Sequence, residues 1–173
     1  MTVDVGAPDR GSDRKRTACV IVASTRAATG VYDDRTGPVI AEWLRSRGWA
    51  EPTVQVVPDG DEVAASLQDA VASGVDLVVT TGGTGVNPSD RTPEATLPLL
   101  DRELPGVMEA IRLRGAAATP LAALSRGHAG IAGATTFVVN LPGSTGGVKD
   151  GLAVLDELLD HVIDQLHGGD HER

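Results

Sequence analysis

The chain is an acidic polypeptide of 173 residues, a length that suits one globular domain. Fifteen Lys and Arg against 24 Asp and Glu give a formal net charge of −9, which repels a phosphate backbone, so we expect no nucleic-acid partner. No stretch approaches the ~18 apolar residues of a membrane helix, and residues 1–16 lack the apolar segment of a secretory leader, so we expect no membrane partner and a cytoplasmic location.

Short apolar runs alternate with amphipathic stretches from Thr17 onwards, whereas residues 1–16 are polar, lack periodicity and predict a disordered arm. The apolar runs are short and rich in β-branched residues, which is typical of strands buried on both faces. The predicted strands are 17–24, 53–57, 76–81 and 135–140. Apolar residues at helical spacing predict the helices. The predicted helices follow Gly37-Pro38, Asp61, Thr92-Pro93 and Pro105, and the last one spans about 147–166.

Strands that alternate with amphipathic helices predict an α/β fold with three layers, in which a mainly parallel sheet carries helices on both faces. We predict a single domain over residues 17–166, followed by a loose C-terminal tail, 167–173. In such a sheet, ligands bind beyond the carboxyl ends of the strands, where loops run into helix N-termini. The residues after each predicted strand are therefore the candidates for a ligand site.

Two of these loops are rich in glycine: TTGGTG at 80–85, and LPGSTGG at 141–147. Consecutive glycines let the backbone approach a ligand and turn N–H groups toward it, and a helix dipole behind them adds to the affinity for an anion. The pattern therefore predicts a phosphate-binding site. Neither loop matches the P-loop or the GxGxxG fingerprint, which disfavours NAD. The alternative for each loop is a tight turn without a ligand.

Acidic residues follow three of the predicted strands, at Asp34, Asp59 and Asp90. Carboxylates beside an anion-binding loop repel a phosphate unless a divalent metal lies between them, so the arrangement predicts Mg²⁺. The alternatives are structural. Asp90 suits an Asx-turn or a helix cap before Thr92-Pro93, and Asp59 suits a turn, with Asp61 as the better cap of the helix that follows.

Four motifs occur in order along the chain: TTGGTG, then NPSDRTPEAT at 87–96, LSRGHAG at 124–130 and NLPGSTGG at 140–147. Together they resemble the MoaB/MogA family of molybdenum-cofactor biosynthesis, over residues 17–166. The resemblance implies a molybdopterin adenylyltransferase that transfers AMP from Mg-ATP to the terminal phosphate of molybdopterin. It also implies a homotrimer and a protein partner for the subsequent molybdenum insertion.

The resemblance carries functional residues over to matching positions. It places catalytic acids at Asp34, Asp59 and Asp90, with Asp59 and Asp90 as the magnesium ligands. The implied substrate contacts are Thr81, Gly82, Gly83, Thr84, Gly85, Ser125, Pro142, Gly143 and Ser144. Cations are scarce near these loops, where Arg91, Arg126 and Lys149 are the nearest in sequence.

The chain departs from the family pattern after the first strand, where the family often has a Ser-Asp pair and this sequence has Ser24-Thr25. The change removes a carboxylate from that part of the site. Two other functions compete with the enzyme. One is a molybdopterin-binding module without catalysis, in which the acids are structural. The other is a nucleotide-processing domain of the CinA type, which predicts a longer chain with a second catalytic region.

Overall fold

The computed structural model describes residues 14–169, which form a six-stranded sheet with helices around it. The strands are β1 (Ala18–Ala23), β2 (Thr53–Val57), β3 (Leu77–Thr81), β4 (Arg102–Glu103), β5 (Ala129–Ala132) and β6 (Thr136–Leu141). The helices are α1 (Thr25–Ala28), α2 (Gly37–Ser46), α3 (Asp61–Ala72), α4 (Thr92–Thr96), α5 (Pro105–Ala116) and α6 (Thr145–Leu166). Two short 3-10 helices, Leu97–Leu99 and Pro120–Leu124, follow α4 and α5.

The strands lie in the order β2-β1-β3-β6-β5-β4. β2, β1, β3 and β6 are parallel, whereas β5 and β4 run antiparallel to their neighbours. The chain passes from β1 to β2 on one side and then returns to place β3 on the other side of β1. In open α/β sheets, the crevice at such a reversal is where ligands bind. The topology therefore predicts a ligand site at the carboxyl ends of β1 and β3.

Both faces of the central strands are buried, because successive residues of each strand join different hydrophobic clusters. On one face, Val20 of β1 and Val79 of β3 pack with residues of α2, α5 and α6. On the other face, Ile21 and Val78 pack with the apolar side of α3. Full burial of such an aliphatic side chain contributes roughly 1.5–3 kcal/mol to folding, and the two clusters together explain the three layers.

The predicted fold class is confirmed, and so are the predicted strands and helices, whose bounds mostly shift by only one or two residues. Strands β4 and β5 were not predicted from the sequence. β5 has the sequence AGIA and β4 is two residues long, so neither contains the β-branched run that predicts a strand. α1 lies within the stretch predicted as a loop after the first strand. Within residues 14–169, no helix is long and apolar enough to cross a membrane.

The described parts of the predicted arm and tail contact the domain. Residues 1–13 and 170–173 lie outside the described residues, so the predicted domain division stays a prediction. Arg14 and His167 both bond to Asp76, each at 2.8 Å, and Arg16 pairs with Asp160 and with Asp164 on α6. The ends of the described chain are therefore tied to the base of the sheet.

Asp76 is the buried centre of this connection, since its side chain is 2% exposed. Burial raises the pKa of the carboxyl, but hydrogen bonds from the Thr17 N–H, His167 and Arg14 outweigh burial and lower the pKa below its ordinary value. A carboxylate with a lowered pKa stabilises the fold above its unfolded pKa, and that contribution disappears as the pH falls through the folded pKa. Asp76 therefore contributes stability at neutral pH.

We expect Asp76→Asn to lower the free energy of unfolding at pH 7 by about 2 kcal/mol, the usual scale for hydrogen bonds to a charged group. Urea unfolding followed by tryptophan fluorescence measures the change. The difference from wild type should shrink as the pH falls below ~4, where the unfolded carboxyl is protonated. Asp101→Asn, at an exposed position, is the control. Equal stability of wild type and Asp76→Asn at pH 7 would contradict the assigned role.

Candidate ligand-binding cleft

A cleft of about 840 Å³ lies beyond the carboxyl ends of the four parallel strands. The loops after β1, β2, β3 and β6 form its walls, so it includes the reversal between β1 and β3. Eight of the predicted site residues line it: Thr81, Gly82, Gly83, Gly143, Ser144, Asp34, Asp59 and Asp90. Four others, Thr84, Gly85, Ser125 and Pro142, are not among the described residues that line the cleft.

The two glycine loops contact each other and the end of β1. Gly82 has a φ of 89°, and a Cβ at this position would overlap the carbonyl oxygen of Ala23. A Cβ on Gly143 would lie 3.2 Å from the Gly82 Cα, which is tighter than ordinary contact. Thr81 links the loops further, because its Oγ1 donates to the Pro142 carbonyl at 2.8 Å. Glycine is therefore required where the loops from β3 and β6 meet.

The glycine loop after β3 and the start of α6 have backbone N–H groups without an acceptor among the described residues. No described residue accepts a hydrogen bond from the Gly83 N–H. Gly83 has a φ of 66°, so the backbone leaves the extended conformation of β3 here. Ser144 caps α6, and its Oγ accepts the Gly147 N–H at 3.1 Å. The N–H groups of Thr145 and Gly146, in the first turn of this 22-residue helix, have no partner within the helix. These donors and the helix dipole favour an anion at this end of the cleft.

Asp59 lies after β2 and is held by the residue that departs from the family pattern. Its Oδ2 accepts the N–H and the hydroxyl of Thr25, each at 3.2 Å, and the Asp59 N–H bonds to the same hydroxyl at 3.1 Å. A Cβ on Gly83 would lie 3.2 Å from Oδ1, so this second oxygen faces the glycine loop. The prediction that Asp61 caps α3 is wrong, since the cap residue is Gly60 and no side chain caps the helix.

Asp90 lies in the turn between the glycine loop and α4. The structural alternative for Asp90, an Asx-turn or a cap of α4, does not hold, because Asn87 makes the turn by accepting the Ser89 N–H at 3.0 Å and no side chain caps α4. Among residues 14–169, no group donates a hydrogen bond to the Asp90 carboxylate. A Cβ on Gly85 would lie 2.7 Å from Asp90 Oδ2, so the carboxylate packs on the glycine loop.

Asp34 lines the cleft but also holds the start of α2. Its Oδ1 accepts the N–H of Thr36 at 2.9 Å and the N–H of Gly37 at 3.1 Å. Two otherwise unpaired donors at a helix start are thereby satisfied. The sequence did not predict this capping role, which is compatible with a contact between Oδ2 and a ligand.

The cations of the cleft are Arg26 of α1 and Arg35 of the loop before α2. The sequence suggested Arg91, Arg126 and Lys149 instead, and none of these three lines the cleft. Arg26 and Arg35 are exposed. They were not predicted from the sequence, because they lie far from the glycine loops along the chain. They approach the cleft because the sheet places β1 beside β3, which no local pattern records.

The segment after the second 3-10 helix supports the glycine loop from outside the cleft. Ser125 lines a neighbouring cavity of about 430 Å³ with His128 and Arg112, and its Oγ lies 3.3 Å from Thr84 Oγ1. Arg126 donates to the carbonyls of Gly85 and Asp90, both at 2.8 Å. The guanidinium also forms an ion pair with Glu94 of α4. This pairing holds the pKa of the Glu94 carboxyl below its usual value.

A buried asparagine that the sequence did not single out fixes the base of this region. Asn140 is fully buried at the end of β6. Its Oδ1 accepts the His128 N–H at 2.9 Å, and its Nδ2 donates to Thr80 at 2.9 Å and to Thr96 at 3.0 Å. One side chain thus joins β6, β3, α4 and the segment before β5. Only the tertiary pairing shows this role, because an Asn at a strand end otherwise suggests a turn.

The acids of the cleft do not form a dense metal centre. Within the described part of the chain, no three His, Cys, Asp or Glu side chains are grouped to hold an ion together. Mg²⁺ commonly takes only one or two carboxylates and completes its shell with substrate phosphates and water. Asp59 lies next to Gly83 and Asp90 next to Gly85, so both acids border the glycine loop and suit a metal that arrives with a phosphorylated substrate.

Comparison with known proteins agrees with this geometry. The family described as "Probable molybdopterin binding domain" matches residues 19–161. The molybdopterin adenylyltransferase of Pyrococcus furiosus is 39% identical over 149 residues, covering 83% of this chain and 87% of that protein. The solved structure of the molybdopterin biosynthesis Mog protein from Mycobacterium ulcerans superposes with a TM-score of 0.84 at 53% identity, over 87% of this chain and 99% of that one.

A longer relative matches as well. The molybdenum cofactor biosynthesis bifunctional protein of Synechococcus elongatus is 41% identical over 155 residues, which cover 89% of this chain and 48% of that protein. The chain thus spans about half the length of this bifunctional relative. Because the family match covers most of the chain and solved relatives share its fold, the chain belongs to the MoaB/MogA family of molybdenum-cofactor biosynthesis proteins.

Proposed function

We propose that the protein is a molybdopterin adenylyltransferase, which transfers AMP from Mg-ATP to the terminal phosphate of molybdopterin. The observation that carries this proposal is the lining of one cleft, which combines residues of two glycine loops with the carboxylates Asp59 and Asp90. Free N–H groups bind a phosphate, and carboxylates beside them require a metal. The names of the relatives support the same activity. A homotrimer and a molybdenum-inserting protein partner, which the resemblance implies, belong to this proposal, and so does the cytoplasmic location expected from the sequence.

The cleft has an anion-binding region at each end. The glycine loops and the start of α6 lie at the ends of β3 and β6, whereas Arg26 and Arg35 come from the segment that follows β1. β1 and β6 lie two strand spacings apart, about 10 Å, which leaves room for a chain of phosphates between the two regions. We assign the terminal phosphate of molybdopterin to the N–H groups, and the β- and γ-phosphates of ATP to the two arginines.

This assignment satisfies the geometry of the reaction. An oxygen of the pterin phosphate attacks the α-phosphorus of ATP and forms a new P–O bond. The bond between the α-phosphorus and the bridging oxygen breaks, and pyrophosphate leaves with the electron pair. In-line displacement places the attacking and leaving groups on opposite sides of the phosphorus. In this assignment, the two ends of the cleft hold the attacking pterin phosphate and the leaving pyrophosphate on opposite sides of the α-phosphorus.

The three acids of the cleft have different proposed roles. Asp59 and Asp90 would hold the Mg²⁺, which neutralises charge on the phosphates when the nucleotide is bound. Thr25 orients Asp59 through two hydrogen bonds without adding a charge, so the cleft retains fewer negative groups to repel ATP. Asp34 holds the start of α2 and thereby keeps the neighbouring Arg35 beside the cleft.

The direct test is to incubate the purified protein with molybdopterin, ATP and Mg²⁺ and to follow adenylylated pterin and pyrophosphate. We expect product that requires the metal. Tight binding of the pterin without product would instead assign the chain to the molybdopterin-binding module. Absence of both binding and product would overturn the proposal as a whole.

We expect Asp90→Asn to lower kcat by at least ~100-fold, because even outer-shell partners of a metal are worth ~10–100-fold. The pterin should still bind within about threefold of its wild-type affinity, since the N–H groups are unchanged. Titration of the pterin by fluorescence and steady-state rates measure the two quantities. Asp33→Asn is the matched control, because Asp33 is exposed and is not among the residues lining the cleft. A fully active Asp90→Asn enzyme would exclude the assigned role.

Replacing both arginines at the other end, Arg26→Gln with Arg35→Gln, should raise the KM for ATP by roughly 5–30-fold. The estimate takes each exposed charge–phosphate contact as worth ~0.5–1 kcal/mol. The affinity for the pterin should change little, and inhibition by added pyrophosphate should weaken in parallel. Arg114→Gln serves as the control, because Arg114 lies on α5 away from the cleft. A selective loss of pterin affinity instead would reverse the orientation assigned to the substrates.

Gly83→Ala should weaken binding of the pterin at least ~10-fold, because its Cβ would overlap Thr92 Oγ1 and press on Asp59, and because φ is positive there. Gly146→Ala is the control, because Gly146 lies in the first turn of α6 and a Cβ there meets no atom within 4 Å. Fluorescence titration compares the two variants after circular dichroism has shown that both are folded. Equal affinity for the pterin in both variants would place the phosphate elsewhere.

A further inference from the structure

We propose that Arg126 is a positioning residue, which holds the glycine loop and Asp90 at a fixed spacing without touching a substrate. The proposal rests on the adenylyltransferase function proposed above. Arg126 borders two cavities next to the cleft but is not among the residues that line the cleft itself. Any effect of Arg126 on the reaction must therefore pass through the residues that it holds.

The guanidinium reaches three separate points of one ten-residue segment, 85–94. Nε donates to the Gly85 carbonyl and Nη2 donates to the Asp90 carbonyl, both at 2.8 Å. Nη1 pairs with Glu94 on α4. Because the guanidinium is planar and its donors have a rigid geometry, three acceptors on one fork have a fixed mutual arrangement. The end of the glycine loop, the turn and the start of α4 thus move as one unit.

The arrangement matters because the Asp90 side chain lacks other support. No described residue donates a hydrogen bond to its carboxylate, so the position of that carboxylate depends on the backbone of Asp90. The backbone carbonyl of Asp90 is the atom that Arg126 holds. Arg126 therefore controls the placement of the proposed metal ligand through the main chain.

Arg126 is itself anchored from both sides. Its N–H donates to the Thr84 carbonyl at 2.9 Å, and the preceding Ser125 carbonyl accepts a hydrogen bond from Arg112 of α5 at 3.2 Å. Its partner Glu94 has a pKa below the usual value because of this pairing, so the ion pair persists at neutral pH. The connection therefore runs from α5 through 125–126 to the glycine loop.

The test compares Arg126→Lys and Arg126→Gln with wild type, and uses Arg114→Gln as the control. Lysine retains the charge but lacks the three-way fork, so we expect both Arg126 variants to lower kcat by about 10–100-fold. Both should raise the Mg²⁺ concentration for half-maximal rate, while the KM for the pterin changes less than threefold. A simple loss of charge would instead leave Arg126→Lys close to wild type.

Coupling to Asp90 distinguishes positioning from general damage. The double variant Arg126→Gln with Asp90→Asn should be no slower than Asp90→Asn alone, because residues that act through one another are not additive. Hydrogen exchange supplies a readout that needs no activity: amides of 82–91 should exchange faster in both Arg126 variants than in Arg114→Gln, with other regions unchanged.

The outcomes separate this inference from the proposed function. A wild-type protein that makes no product defeats the function, yet the exchange of 82–91 still decides whether Arg126 holds the loop. An active wild type with an equally active Arg126→Lys, or with additive losses in the double variant, overturns the positioning role while the function stands. Unchanged exchange in both Arg126 variants overturns it as well.

Discussion

The site depends on the close passage of Gly82 against the end of β1. Because no Cβ fits between Gly82 and the Ala23 carbonyl, the loop after β3 can lie directly over the reversal in strand order. The loop after β6 then packs on Gly82 through Gly143, and the start of α6 follows immediately. A single contact between backbones therefore brings the N–H groups of two distant loops to one place. With a side chain at Gly82, the loops would separate and the donors would diverge.

The chain carries a net charge of −9, whereas the proposed substrates are polyanions. A negative field disfavours their approach. The cleft counters it with neutral N–H groups at one end and two exposed arginines at the other, and with a metal that would be held between Asp59 and Asp90. Thr25 fits this scheme, because its hydroxyl orients Asp59 without a further negative charge. Thr25, which stands where the family often has Asp, thus reduces the repulsion of polyanionic substrates and keeps the Asp59 carboxylate in place.

Much of the fold followed from the sequence, because hydrophobic runs and glycine positions are local signals. The four parallel strands, the large helices and both glycine loops have such signals. The site was harder to predict, since its contacts join residues far apart in the chain. Arg26 and Arg35 border the glycine loops only because β1 lies beside β3, and Ser125 supports Thr84 from an adjacent cavity. Asn87 and Asp90 are both able to form an Asx-turn, and only the folded loop shows that Asn87 does so.

The three acids differ in how much of their hydrogen-bonding capacity the fold already uses. One oxygen of Asp34 accepts the donors at the start of α2, and one oxygen of Asp59 accepts Thr25. The carboxylate of Asp90 accepts nothing from residues 14–169, although it is half-buried against the glycine loop. A carboxylate oxygen that accepts no hydrogen bond from the protein is available to a ligand. Asp90 therefore has the most free acceptor capacity of the three acids, and together with the free Oδ1 of Asp59 beside Gly83 it supports the proposal that these two acids hold the metal while Asp34 holds the start of α2.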